Sequence, residues 1–291
     1  MLGMSITDVK GPLALAGPDP PSLPAMRRFL FALALPALLA ACVRPSHVPD
    51  FAAKPFEPFN RADAVAIALR EWRAFGGRID DDAASGWPEP SPAEKPERQP
   101  GLWQRVGEYW WTGPPAGETE VAWTGKHDGN GAVFPASRDG RYAWSAAFIS
   151  YVMRVAGAGD RFPYSANHAT YVNAAAAGKS SILRARPPAA YAPKRGDLVC
   201  LGRGSAATMT FRDLPGPGPW PGHCAIVVES GPGTIDVVSG NVGDAVALTH
   251  IPATPDGRLA DADGTVLDPR HRWFVVVEVL YDAEAEPAAD Q

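Results

Sequence analysis

Hydrophobic residues in this chain change their period at about Pro193. Before it they recur at helical spacings, and after it they come in short β-branched runs separated by Gly and Pro. Ala64, Ile67, Ala68, Glu71 and Trp72 define a mostly apolar helix within 59–75, stopped by Gly76-Gly77. Leu102, Val106, Tyr109 and Trp110 mark a second helix over 102–111. A third, over 145–155, carries Ala146, Phe148, Ile149, Val152 and Met153, and Gly157 and Gly159 end it. A fourth spans about 165–177, capped by Ser165 and stopped by Gly178. The later runs 198–201, 225–228, 235–238, 245–250 and 273–280 read as strands. Helices first and strands after predict an α+β domain over 59–281, with N-terminal helices packed on an antiparallel β-sheet. An acidic, Pro-rich stretch at about 80–100 reads as a surface loop, and the Ala-rich tail 282–291 as flexible.

The domain does not account for the beginning of the chain. Met26-Arg27-Arg28 is a short basic start, 29–39 is almost wholly apolar, and Leu39-Ala40-Ala41-Cys42 closes the segment. That order is a secretory signal over 26–41, too short to span a bilayer, which takes about 20 apolar residues. Its last four residues resemble the bacterial lipoprotein box. The resemblance implies that Cys42 is diacylated and becomes the first residue of the mature chain. Val43 follows it rather than Asp, which in Gram-negative lipoproteins goes with outer-membrane sorting. The expected location is therefore the periplasm, with the membrane as a partner through the lipid anchor. Residues 1–25 have no role in this scheme and read as an over-extended start, and 42–58, polar and Pro-rich, reads as a tether.

Of the three cysteines, Cys200 and Cys224 then remain, each inside a buried-strand run. An even pair in an oxidising compartment favours a disulfide, with two buried free thiols as the alternative. A net charge of −5 and the lack of any Lys/Arg block argue against a nucleic-acid partner. No phosphate loop, dinucleotide fingerprint or metal-ligand spacing is present, so no cofactor or metal is expected.

Three stretches carry possible chemistry: Ala143-Trp144-Ser145-Ala146-Ala147-Phe148, then Pro193-Lys194-Arg195-Gly196-Asp197-Leu198 with Gly222-His223-Cys224-Ala225 downstream, then Val238-Ser239-Gly240-Asn241. Their order resembles the CHAP and NlpC-like amidohydrolases, papain-like peptidases that cut peptidoglycan peptides. The span 59–280 more specifically resembles a bacterial family known only as domain of unknown function 2272. The resemblance implies a papain-like fold in which the strands of Cys200 and Cys224 are neighbours. By position it makes Ser145 the nucleophile, His223 the general base and Asn241 the residue orienting the imidazole. It also makes peptidoglycan, or its peptide stems, the expected partner.

The departure is Ser145, which stands where those peptidases have Cys. A helix N-terminus and an imidazolium can hold a thiolate, but a serine hydroxyl needs a base in contact during attack. Cys224 is discounted as nucleophile, because consecutive strand residues face opposite ways and His223 takes the cleft side. The competing readings are structural: Ser145 as helix cap, His223 at a strand edge, Asn241 in a turn. His168, one helix after Ser145, is either a helix-surface residue, a cleft residue touching substrate, or a rival base. Trp144 could contact substrate, although tryptophans are more often core. Two functions follow: an amide hydrolase, or a catalytically silent binding or scaffolding module of the envelope on the same fold.

Overall fold

The computed structural model describes residues 59–81, 91, 94–115 and 143–281. The expected signal segment, Cys42, the tether, most of the 80–100 loop and the tail from 282 lie outside the described residues. Among the described residues no helix is long and apolar enough to cross a membrane.

Four helices precede the sheet: α1 (Arg61–Ala74), α2 (Leu102–Thr112), α3 (Ser145–Val155) and α4 (His168–Ala176). Helix α1 starts where the Asn60 side chain accepts the Asp63 N–H, and it ends at Gly76 and Gly77, both at positive φ. In α3 every residue from Ser145 to Met153 is buried, so this helix is hydrophobic all round and forms the middle of the core. The α4 start differs from expectation. Asn167, not Ser165, caps it by accepting the Ala169 N–H at 2.8 Å. Ser165 is used upstream: its Oγ accepts Asn167 N–H, and its backbone exchanges two hydrogen bonds with the Ser150 hydroxyl on α3.

Six strands follow: β1 (Leu183–Arg186), β2 (Leu198–Gly202), β3 (Gly222–Gly231), β4 (Thr234–Val242), β5 (Ala245–Pro252) and β6 (Trp273–Val279). They form one sheet in the order β1-β6-β2-β3-β4-β5, with every neighbouring pair antiparallel. The α+β expectation therefore holds, with β1 an edge strand the sequence did not reveal. One face of the sheet takes the helices: α1 and α3 pack on β3 and β4, α4 on β1 and β3, and α2 lies on α3. Cys224, Ile226 and Val228 point into that core, while Ala225 and Val227 point to a smaller apolar cluster on the other face with Val199, Val237 and Trp273. Cys200 and Cys224 sit directly opposite on β2 and β3, with Cα atoms 4.1 Å apart, and are joined by a disulfide.

Two local features set the helix-to-sheet geometry. The turn before β2 is built on Asp197, wholly buried, whose carboxylate accepts from Arg61, the Tyr191 hydroxyl, and the Lys194 and Val279 N–H groups at 2.9–3.0 Å. It thereby ties the start of α1 to β2 and β6. Gly240 on β4 lies under α3, where a Cβ would come within 2.6 Å of the Trp144 ring and 2.7 Å of Phe148 Cβ. The glycine lets the N-terminal end of α3 rest directly on the strand.

Candidate functional site

Ser145 is the first residue of α3, where backbone N–H groups lack intrahelical acceptors. Its Oγ lies 2.7 Å from Nε2 of His168, the first residue of α4. The other ring nitrogen, Nδ1, makes a short hydrogen bond with the hydroxyl of Tyr171, one helical turn on. A consistent proton arrangement has Nδ1–H donate to Tyr171 and the Ser145 hydroxyl donate to Nε2. His223, near the start of β3, meets the His168 ring edge-on, with centroids 5.7 Å apart. Ser145, His168 and His223 are 7%, 4% and 3% exposed, and His223 Nδ1 is buried without a hydrogen-bond partner.

Burial dominates the electrostatics. It pushes the His168 pKa down to about 3, and the positive field of Arg203 adds to the shift. His223 is lowered well below its ordinary value by burial, then by Arg203, His168 and His271. Both imidazoles are therefore neutral at neutral pH, the state in which a ring nitrogen can accept a proton. Burial raises the Tyr171 pKa, so its hydroxyl stays protonated.

The residues singled out from sequence are only partly brought together. Ser145 meets His168, the rival base, and forms no hydrogen bond with His223. Continuing the β3–β4 register past Ile226–Val238 puts Asn241 level with His223. Asn241, however, occupies a positive-φ bulge at φ 59, and the expected His223–Asn241 hydrogen bond is not made. Trp144 is wholly buried. Its N–H donates to Glu97 at 2.6 Å and its ring packs by Phe75 and Tyr109, which makes it core beneath the site. Cys224 faces the helical core, as strand alternation requires.

Two residues were missed. Tyr171 was open to discovery, since it stands three positions after His168 on a helix and shares its face. Arg203 had no signal, because it follows β2 in a Pro-rich connection whose path sequence periodicity does not report. Among the described residues no group of three or more His, Cys, Asp or Glu is placed to hold a metal ion.

No curated protein and no solved structure matches this chain. Residues 97–279 match the model of a family described as an uncharacterized protein conserved in bacteria, the domain of unknown function DUF2272. That match takes in all the site residues above and more than half of the chain, and the chain belongs to the DUF2272 family.

Proposed function

We propose that this domain is a serine-variant, papain-like amide hydrolase that cuts peptide bonds of peptidoglycan from a lipid anchor at Cys42. The observation that carries the catalytic part is the 2.7 Å contact between Ser145 Oγ and His168 Nε2 at the first turn of α3. Support for the papain-like plan is the order of parts, a buried helix with the nucleophile at its N-terminus followed by an antiparallel sheet with His223 on a central strand. Support for the envelope address is the basic, apolar, Leu39-Ala40-Ala41-Cys42 order.

In this reading His168 Nε2 takes the hydroxyl proton as Ser145 Oγ bonds to the carbonyl carbon. The carbonyl π pair moves onto oxygen, and the resulting oxyanion accepts hydrogen bonds from the free N–H groups that open α3. The C–N bond then breaks as Nε2–H protonates the departing amine. Water, deprotonated by the same nitrogen, frees the acyl group from Ser145. Tyr171 accepts from Nδ1–H, keeping Nε2 aimed at Ser145, the orienting part that the sequence had assigned to Asn241 beside His223.

The alternative, a silent binding module, is favoured by one observation: all three polar groups are under 10% exposed. Incubating the full chain with peptidoglycan fragments, read by mass spectrometry, separates the two. The hydrolase reading expects product from wild type, and a loss on the order of 10³-fold or more in Ser145→Ala and His168→Gln. His223→Gln should lose less than His168→Gln. Ser145→Cys restores the thiol of the related peptidases and should be labelled by thiol-directed electrophiles. Intact fragments with wild type, together with an unlabelled Cys variant, would assign the domain to binding.

A further inference from the structure

An open groove of about 1350 Å³ lies between the connection that follows β2 and the segment 263–272 that precedes β6. Its lining is strongly cationic: Arg203, Arg212, Arg270 and Arg272 against Asp263 and Asp268. The acids are already engaged. Asp268 holds Arg270 and the Trp273 N–H, and Asp263 accepts the Thr265 N–H. Arg270 is consumed by that pair and by the carbonyls of Asp81 and His250, and Arg272 reaches the Thr208 carbonyl at 3.4 Å. Arg203 and Arg212 differ. Both are solvent-exposed, and among the described residues neither guanidinium has a hydrogen-bond or ion-pair partner. Partial burial lowers the Arg203 pKa, and the field of the Asp80 carboxylate opposes that shift.

We infer that this groove binds a carboxylate-bearing peptide, with Arg203 and Arg212 pairing its free carboxylates so that a neighbouring amide is presented to Ser145. The inference rests on the hydrolase reading for the fate of the peptide, but not for its binding. Three observations support it. Arginine presents a planar fork matched to a carboxylate, and here two forks stand without one. Leu201, Phe211, Val266 and Phe274 share the wall, which suits short aliphatic side chains between charges better than a bare inorganic ion. His271 lines the same groove, and the positive field of Arg203 reaches His168, His223 and His271. A carboxylate on Arg203 would cancel part of the field that depresses His168, making the base stronger only when substrate is present.

The test is binding to the full chain carrying Ser145→Ala, so that no probe is consumed. The probes are a fluorescent peptidoglycan stem peptide with free carboxylates and the same peptide with carboxamides, followed by anisotropy. The acidic peptide should bind at least about tenfold more tightly than the amidated one, a difference of about 1.4 kcal/mol. Arg203→Gln and Arg212→Gln should each erase most of that preference, and Arg203→Lys should retain part of it. Urea midpoints matching the parent show that the variants fold, and the amidated peptide needs no variant at all. Equal binding of the two peptides, or an unchanged preference after both Gln replacements, overturns the assignment. Inorganic phosphate that binds more tightly than the acidic peptide also overturns it, in favour of a free-anion site. If the acidic peptide binds selectively yet wild type leaves it uncut, the hydrolase reading falls and the groove assignment stands.

Discussion

At the residue scale the decisive group is His168, buried and neutral between a serine and a tyrosine. Its folded pKa of about 3 lies below the ordinary value of 6.5. As pH falls from about 6.5 towards 3, the unfolded chain therefore binds a proton that the folded one refuses. Stability present above pH 6.5 is lost through that window, by up to about 1.4 kcal/mol per pH unit for each such histidine. His223 is shifted the same way. The lowered carboxylates, such as Asp81 and Asp268 from 3.8 and Glu94 from 4.5, contribute only below about pH 5, so the fall between about pH 6.5 and 5 belongs to histidines. Urea midpoints measured from pH 7 to 4 should decline steadily, and His223→Leu should make the decline shallower. A flat midpoint down to pH 5 would show that these rings are not held neutral. Sequence named Ser145, His168 and His223 but could not say which histidine meets the serine. That choice depends on where α4 begins, and so on whether Ser165 or Asn167 caps it. Both residues are good caps, and only the tertiary use of Ser165 by Ser150 decides between them.

At the scale of elements, legibility followed the strength of the local pattern. Helix α3 is apolar almost throughout and closed by glycine, and its sequence-predicted limits, 145–155, are those observed. Strand β1 is only Leu-Arg-Ala-Arg, four residues stabilised by pairing with β6 and by the Arg186–Glu278 bond at 2.8 Å, which no local window reports. Between β2 and β6 the register slips by one residue, so that Phe274 and Val275 both face the helices, a bulge that strict alternation would not predict. The disulfide belongs to this scale, because it crosses from β2 to β3 at a pair of directly opposed residues. It closes a loop of sequence separation 24, for which chain entropy gives about 3.5 kcal/mol. The Cys200→Ala/Cys224→Ala double variant should lose about that much in urea unfolding. Unreduced wild type should show two fewer titratable thiols than reduced wild type. A double variant as stable as wild type would leave the β2–β3 ladder and its core to hold that edge unaided.

At the scale of the whole molecule, attachment and fold are predicted to be separable. The expected domain spans 59–281, and among the described residues Phe59, 2% exposed, packs on Tyr281 just after β6 as part of the helical core. Cys42 belongs to the expected anchor, joined to the domain by 43–58, so that a fully extended connection reaches at most roughly 60 Å. An enzyme tied that way acts on a polymer close to its membrane, which fits the peptide substrate proposed for Ser145. The charge agrees, since a net −5 chain is not drawn to anionic headgroups and would need acyl chains to stay at a bilayer. One acyl chain gives only marginal, reversible binding and two give stable anchoring, so blocking acylation at a single residue should release the protein. Cys42→Ser should therefore lose acyl labelling and leave the membrane fraction. Its urea midpoint and its turnover of soluble peptidoglycan fragments should match those of wild type. Unchanged labelling and fractionation would refute the anchor, whereas a lowered midpoint would mean that the segment before Phe59 contributes to the fold.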